Sequence, residues 1–247
     1  MPDISIAAYL LVGFVGLVVG TINGMAGGAS VLAYTTLIAI GLNPVAAAVT
    51  NAWGVTPANL MAQKVSTEKF KDLYNNNWKL LWASIIGTVI GAIALLNMPL
   101  ELLEKAVPVL LLVASLSVLI PIKRNVGGLS ERNEQLAIFG TGVYCGYFGP
   151  GQGVMVAATL ARDSRRKPIN LNTLKNFITG YTAIASNLIF LASGQIHWPL
   201  VLLLGVTSGA GGWLGGRAAG RMSPLIYRGL LLSVGLSASV WFFYKFW

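Results

Sequence analysis

Two stretches of this chain decide how the rest is read. The first is Gly20-Thr21-Ile22-Asn23-Gly24-Met25-Ala26-Gly27-Gly28-Ala29-Ser30, and the second is Gly142-Val143-Tyr144-Cys145-Gly146-Tyr147-Phe148-Gly149-Pro150-Gly151-Gln152-Gly153. Each interrupts an apolar run with closely spaced glycines. Gly20, Gly24 and Gly27 map onto Gly142, Gly146 and Gly149 at a constant offset of 122 residues. Downstream, Asn51 pairs with Asn176, Asn77-Trp78 with His197-Trp198 and Gly91 with Gly211, at offsets between 120 and 125. A recurring order of landmarks predicts two homologous halves, 1–124 and 125–247, forming one transport domain.

The sequence around these breaks is apolar almost throughout. Of 247 residues, 55% are hydrophobic and only 10% charged, against about a quarter charged in soluble domains. Mean hydropathy is +0.70. Residues 4–63 contain no Asp, Glu, Lys or Arg, and neither do 80–100, 106–122, 135–161, 176–216 and 229–244. This composition excludes a disordered chain, a coiled coil and an ordinary soluble enzyme, and predicts an all-α polytopic membrane protein. The region before Ile4 has no basic character, so Ile4 onward reads as a first membrane segment and not as a cleaved leader.

Apolar runs and their breaks predict helical segments near 5–19, 30–41, 44–62, 79–97, 105–121, 135–148, 152–161, 170–193, 199–216 and 225–244, of which eight to ten are transmembrane. Segments 5–19, 30–41 and 152–161 are short, about 22, 18 and 15 Å as helices against roughly 30 Å of hydrocarbon. Irregular backbone is tolerated at membrane depth only where protein or a cavity covers it. They therefore read as discontinuous helices, with tilted hairpins closed by tight glycine turns as the alternative. Five segments per half is an odd number, so the second half is inverted. Inverted repeats with discontinuous helices characterise transporters whose site lies at the midplane.

The net charge of +9 would suggest a nucleic-acid partner in a soluble protein. Here it falls in short connections, and no nucleic-acid partner is expected; the lipid bilayer is. Lys64, Lys69, Lys71 and Lys79 lie in 63–79, Lys123, Arg124 and Arg132 in 122–134, and Arg162, Arg165, Arg166 and Lys167 in 162–169. Arg217, Arg221 and Arg228 surround the last connection, whereas 98–104 has no cation and 194–198 only His197. The positive-inside rule places the basic connections in the cytoplasm and both termini outside.

The paired glycine motifs, the Asn43-Pro44 and Lys167-Pro168 connections and the Asn77-Trp78 and His197-Trp198 pairs resemble the sulfite exporter TauE/SafE family, also called toluene-sulfonate uptake permeases. The likeness runs along the whole chain. It implies movement of sulfite, thiosulfate, organosulfonates or related anions across a bacterial or archaeal inner membrane, with export as the expected direction. A permease or channel for another small anion or metabolite is the alternative. The sequence departs from the family pattern at Ala29 and Ser30, where a fuller glycine run is usual.

A helix that begins inside the membrane points free N–H groups and about half a positive charge at the space before it. Two such helices, one from each half, predict a site for a small anion. Glycine permits positive φ and close approach of an oxyanion. The expected substrate-binding residues are Gly27, Gly28, Ser30, Asn51, Gly149, Gly151, Gln152, Lys175 and Asn176, with Ser30 as N-cap or ligand and Gln152 in the matching place. A larger side chain at 27, 28, 149 or 151 is then expected to block binding and spare the fold, provided the position lines the cavity. Tight helix packing fits Gly20, Gly24, Gly142 and Gly146 better. Asn51, Asn59, Asn176 and Asn187 otherwise read as interhelical hydrogen bonds, and Lys175 as a side chain reaching the headgroups.

Cys145, the only cysteine, reads as a small buried side chain that could alternatively meet a sulfur substrate. His197, the only histidine, reads with Trp198 as an interfacial pair. No acid lies within any predicted span. This leaves little material for a membrane-embedded enzyme, so no catalytic residue, cofactor or metal is expected, and no carboxylate proton relay. A homodimer is compatible with the sequence.

Overall fold

The computed structural model describes residues 4–66, 68–116 and 128–219, with 229, 232–233, 236–237 and 239–244. Every element among them is helical: α1 (Ile6–Met25), α2 (Ser30–Ala39), α3 (Pro44–Lys64), α4 (Phe70–Asn97), α5 (Leu100–Leu116), α6 (Glu131–Tyr147), α7 (Gln152–Leu160), α8 (Pro168–Phe190) and α9 (Trp198–Arg217), with one 3-10 turn at Leu191–Ser193. Residues 117–127 and much of the predicted segment 225–244 lie outside the described residues, although 239–244 are helical. Among the described residues, α1, α4 and α9 are long and apolar enough to cross a membrane.

The helices start where local chemistry dictates. Ser5 accepts the Ala8 N–H to open α1, Asn43 accepts that of Ala46 ahead of Pro44 at the start of α3, and Ser130 accepts that of Asn133 before Glu131 and Glu134. Such caps satisfy donors that a helix start leaves open, and acids in a first turn favour its dipole.

Two sequence expectations are corrected. The first segment does not stop near residue 19: α1 continues through Gly20 and Gly24 to Met25. Its 20 residues span about 30 Å, a full crossing. Glycine costs a helix only about 1 kcal/mol per residue, and here it permits a packing contact. The break itself is confined to 26–29. Likewise α4 begins at Phe70, so Lys71 and Lys79 lie on the helix and the connection before it is short.

Those helical glycines bring backbones together. On α1, a Cβ at Gly24 would meet the Gly212 carbonyl oxygen of α9 at 2.7 Å, and one at Gly20 would overlap the Ser208 carbonyl. On α6, a Cβ at Gly146 would overlap the Thr88 carbonyl of α4, and one at Gly142 that of Ser84. In return, Gly211 and Gly215 abut Leu17 and Thr21, while Gly87 and Gly91 abut Phe139 and Val143. The α1–α9 and α4–α6 pairs thus make the same contact, at an offset of 122 between α1 and α6 and 124 between α4 and α9. Gly91 accordingly matches Gly215, not Gly211, and the pairing of Asn77-Trp78 with His197-Trp198 is about one turn out of step. His197-Trp198 does open a helix, but Asn77-Trp78 lies inside α4.

Between these pairs pack α3 and α8, the polar-dotted helices. A buried cluster around Tyr34, Leu37, Phe148, Phe190, Leu204 and Phe242 surrounds the short α2. Tyr34 meets the Phe148 ring edge-on at 5.0 Å. A smaller cluster of Leu73, Leu81, Leu160, Phe177 and Ile178 lies beside α7.

Candidate anion site between the two breaks

Both helix breaks are built on left-handed backbone. Gly27 and Gly28 have φ of 98° and 88°, and Gly149 and Gly151 have 88° and 94°. Only glycine adopts these values cheaply, which explains the residue type at the corner between α1 and α2 and between α6 and α7. The two corners touch. A Cβ at Gly153 would meet the Gly27 Cα at 3.1 Å, and the Gly151 N–H donates to Ser30 Oγ at 3.3 Å.

Around this junction lies a cavity with about 50 Å³ open to the centres of water-sized molecules. By volume it takes a small oxyanion or on the order of a few waters. The breaks contribute Gly27, Gly28, Ser30, Gly149, Gln152 and Gly153; α3 contributes Asn51, Thr56 and Asn59. From α8 come Thr179, Ala183 and Ser186, and from the ends of α1 and α6 come Asn23 and Cys145. No Asp, Glu, Lys or Arg lines it. Among the residues lining it, two carry a buried amide atom with no hydrogen-bond partner, Gln152 Nε2 and Asn51 Oδ1. Buried polar atoms are nearly always paired, so these are exceptions that ask for an explanation. A half-turn of the Asn51 amide exchanges its oxygen for an N–H₂ without change of shape.

Six of the nine residues expected at the site from sequence line this cavity: Gly27, Gly28, Ser30, Asn51, Gly149 and Gln152. Ser30 is not the N-cap of α2. It is the first helical residue, and its hydroxyl is the acceptor for Gly151. Gln152 is likewise first in α7, after Gly151 at the N-cap. The Ala29 N–H is taken by Asn23 Oδ1 at 2.8 Å. Part of the backbone donor set expected to face an anion is therefore already bonded within the protein, and side-chain amides stand in its place.

The other three expected residues lie behind the wall. Gly151 packs against Ala114, whose Cβ a side chain there would meet at 2.7 Å. Gly151 thus fails the condition of lining the cavity, and a larger residue there strains both backbone and packing. Lys175 and Asn176 are buried and bond to the end of α1: Lys175 Nζ donates to the Asn23 carbonyl at 2.6 Å, and Asn176 Nδ2 to that of Gly24 at 3.1 Å. Asn172 adds a second bond to Gly24 at 2.9 Å. Lys175 is 1% exposed, so it does not reach the headgroups. Breaking α1 inside the protein leaves carbonyls unpaired, and these three side chains satisfy them.

His197 also departs from its expected place. It is buried, donates its backbone N–H to Thr50 Oγ1 at 3.1 Å, and caps α9 by accepting the Leu200 N–H at Nδ1. Asn187 does form an interhelical bond, to Thr56 Oγ1 at 2.9 Å. Asn23, Thr179 and Ser186 were not singled out from the sequence. Asn23 sits inside the quoted motif, and Thr179 and Ser186 continue from Asn176 at helical spacing, so the signal existed but isolated hydroxyls and amides in apolar helices are common.

Beyond Thr56 runs an apolar groove between α3 and α8, lined by Trp53, Pro57, Leu60, Ile184 and Leu188. Leu60 links it to a hollow beside Gln63, Lys64, Glu68 and Tyr181. Thr56 thus borders both the central cavity and the groove, and Leu60 both the groove and the hollow near Lys64.

A family model described as sulfite exporter TauE/SafE matches residues 12–242. A "probable membrane transporter protein" of Haemophilus influenzae is 27% identical over 221 residues, covering 84% of each chain. The probable membrane transporter protein ORF9 of a Sinorhizobium species is 23% identical over 97% of this chain and 94% of its own. The probable membrane transporter protein YfcA of Escherichia coli is 24% identical over 80% of this chain and 76% of its own. No solved structure matches.

Proposed function

This chain belongs to the sulfite exporter TauE/SafE family and is a membrane transporter, and on that premise we propose that it carries small sulfur-containing anions through the cavity between its two breaks. The observation carrying this reading is the pair of unpartnered buried amides, Gln152 and Asn51, facing one small space whose wall has no carboxylate. An oxyanion accepts hydrogen bonds only, and charge-assisted bonds are about twice as strong as neutral ones. Sulfite, thiosulfate and short organosulfonates suit this space, with Gly27, Gly28, Ser30 and Gly149 completing the wall.

Transport by alternating access in an inner membrane, with export as its physiological direction, completes the proposal. The halves 1–124 and 125–247 act as inverted repeats. The repeated α1–α9 and α4–α6 contacts, in one register, support this. Basic connections inside and both termini outside follow the distribution of Lys and Arg. Liposomes containing the protein should take up labelled thiosulfate, sulfite and methanesulfonate. Asn51→Ala combined with Gln152→Ala should abolish that uptake while the protein remains folded. Uptake at the parent rate by the folded double variant overturns the cavity as the site.

A further inference from the structure

The α8 residues lining the cavity are Thr179, Ala183 and Ser186. Their spacing of four and three follows one face of a helix. The next position on that face toward the helix start is Lys175, one turn before Thr179, whose hydroxyl bonds to the Lys175 carbonyl at 2.9 Å. Lys175 is fully buried, and its Nζ bonds to the main chain of Asn23. Asn23 is itself a wall residue, and its side chain holds the Ala29 N–H. The ammonium thus stands one residue behind the cavity, at the end of the α8 face that lines it.

We infer that Lys175 is the charge-selecting residue of this site: a positioning cation, out of contact with the ligand, that favours anions over neutral molecules of the same shape. The inference rests on the cavity being the anion site. A cation at the carbonyl end of α1 faces the negative end of that helix and is attracted by its dipole. No carboxylate neutralises it: among the described residues Lys175 pairs with none, and the chain has no Asp or Glu after Asp163 or between Asp3 and Glu68. Its field is therefore not cancelled locally, and in a poorly solvated interior it reaches neighbouring groups. The corresponding position in the first half is Thr50, one residue before Asn51 as Lys175 precedes Asn176, and its hydroxyl serves His197. The positive charge behind the cavity wall therefore comes from α8 and has no counterpart on α3.

Interaction with one fixed charge scales with the ligand's own charge, which separates this role from a purely structural cap. The probes are thiosulfate as dianion, methanesulfonate as monoanion and dimethyl sulfone as a neutral analogue of similar size. In Lys175→Met, affinity should fall about tenfold for the monoanion and about a hundredfold for the dianion, with none lost for the sulfone. Lys175→Gln keeps a donor for the Asn23 carbonyl and should reproduce this pattern, while Lys175→Arg should keep the parent's order. Equal losses for all three probes, or no loss, overturn the assignment. If neither neutral variant folds, the parent protein decides, because equal binding of methanesulfonate and dimethyl sulfone is incompatible with charge selection. Should Asn51→Ala and Gln152→Ala leave thiosulfate binding intact, the cavity reading itself fails. Should they abolish it while Lys175→Gln keeps the parent's affinities, the cavity stands and the role of Lys175 falls.

Discussion

The Gly151 N–H and the Ser30 hydroxyl form a hydrogen bond at 3.3 Å between residues 121 apart in sequence, at the point where both interrupted helices resume. It ties the start of α2 to the corner before α7. Ser30→Ala leaves a buried N–H without its acceptor, a loss of about 1–3 kcal/mol. The apparent melting temperature in detergent should fall by several degrees, and Ser30→Thr should recover much of it. An unchanged melting temperature for Ser30→Ala would show that the bond carries no weight.

Substitution of the cavity amides should separate binding from folding. Gln152→Ala and Asn51→Ala remove atoms that have no partner within the protein, so their cost to stability should be small. Each should weaken thiosulfate binding about tenfold or more, the scale of one hydrogen bond to a charged group. Titration calorimetry on purified protein, paired with thermal melting, tests both halves of this statement.

The corner glycines should behave in the opposite way. Gly28→Ala and Gly151→Ala place a Cβ on backbone with φ of 88° and 94°, a strain of about 1–2 kcal/mol each. Gly151 also meets Ala114, so its variant should be the less stable of the two. Gly140→Ala is the control: it lies within α6 with nothing within 4 Å of a new Cβ. It should raise stability by up to about 1 kcal/mol through the ordinary helix preference. Melting curves that rank the three otherwise would reject this account.

Acid tolerance follows from the connection between α7 and α8. Arg165 grips Asp163 with bonds of 2.9–3.3 Å and takes its carboxyl down from the ordinary 3.8 to about 2. Arg166 pairs with Glu134 across to α6. A lowered carboxyl contributes stability that is present above about pH 3.8 and lost as pH falls toward 2. Between pH 5 and 8 titration of Asp163 should therefore not move the melting temperature, and Asp163→Asn should differ from the parent by a constant amount. A difference that grows between pH 8 and 5 would contradict the pairing.

Much of this fold was legible because a bilayer imposes coarse rules: long uncharged stretches, charges collected in connections and glycine where the chain turns inside. The recurrence of Gly20, Gly24 and Gly27 as Gly142, Gly146 and Gly149 was legible directly, and matching α1–α9 and α4–α6 contacts go with it. What escaped was register. Gly20 and Gly24 read as packing glycines, which holds, but also as part of the break, because glycine weakens a helix; contact with α9 outweighs that preference, and no single sequence reveals which backbone is the partner. For the same reason Lys175 was expected either at the site or among headgroups. Its true acceptor, the Asn23 carbonyl, lies 152 residues away and carries no side-chain signature.

Where two helices touch backbone to backbone, no side chain lies between them to be compressed. The α1–α9 and α4–α6 pairs therefore act as fixed calipers, with the Gly20 and Gly24 contacts setting one jaw and the Gly142 and Gly146 contacts the other. Each jaw ends in a corner of the cavity, since α1 runs into the break at 26–29 and α6 into that at 148–151. A single methyl added at Gly24 or Gly146 pushes its helix outward and carries that corner with it. The width of the cavity is thus gauged partly at Gly24 and Gly146, neither of which lines it.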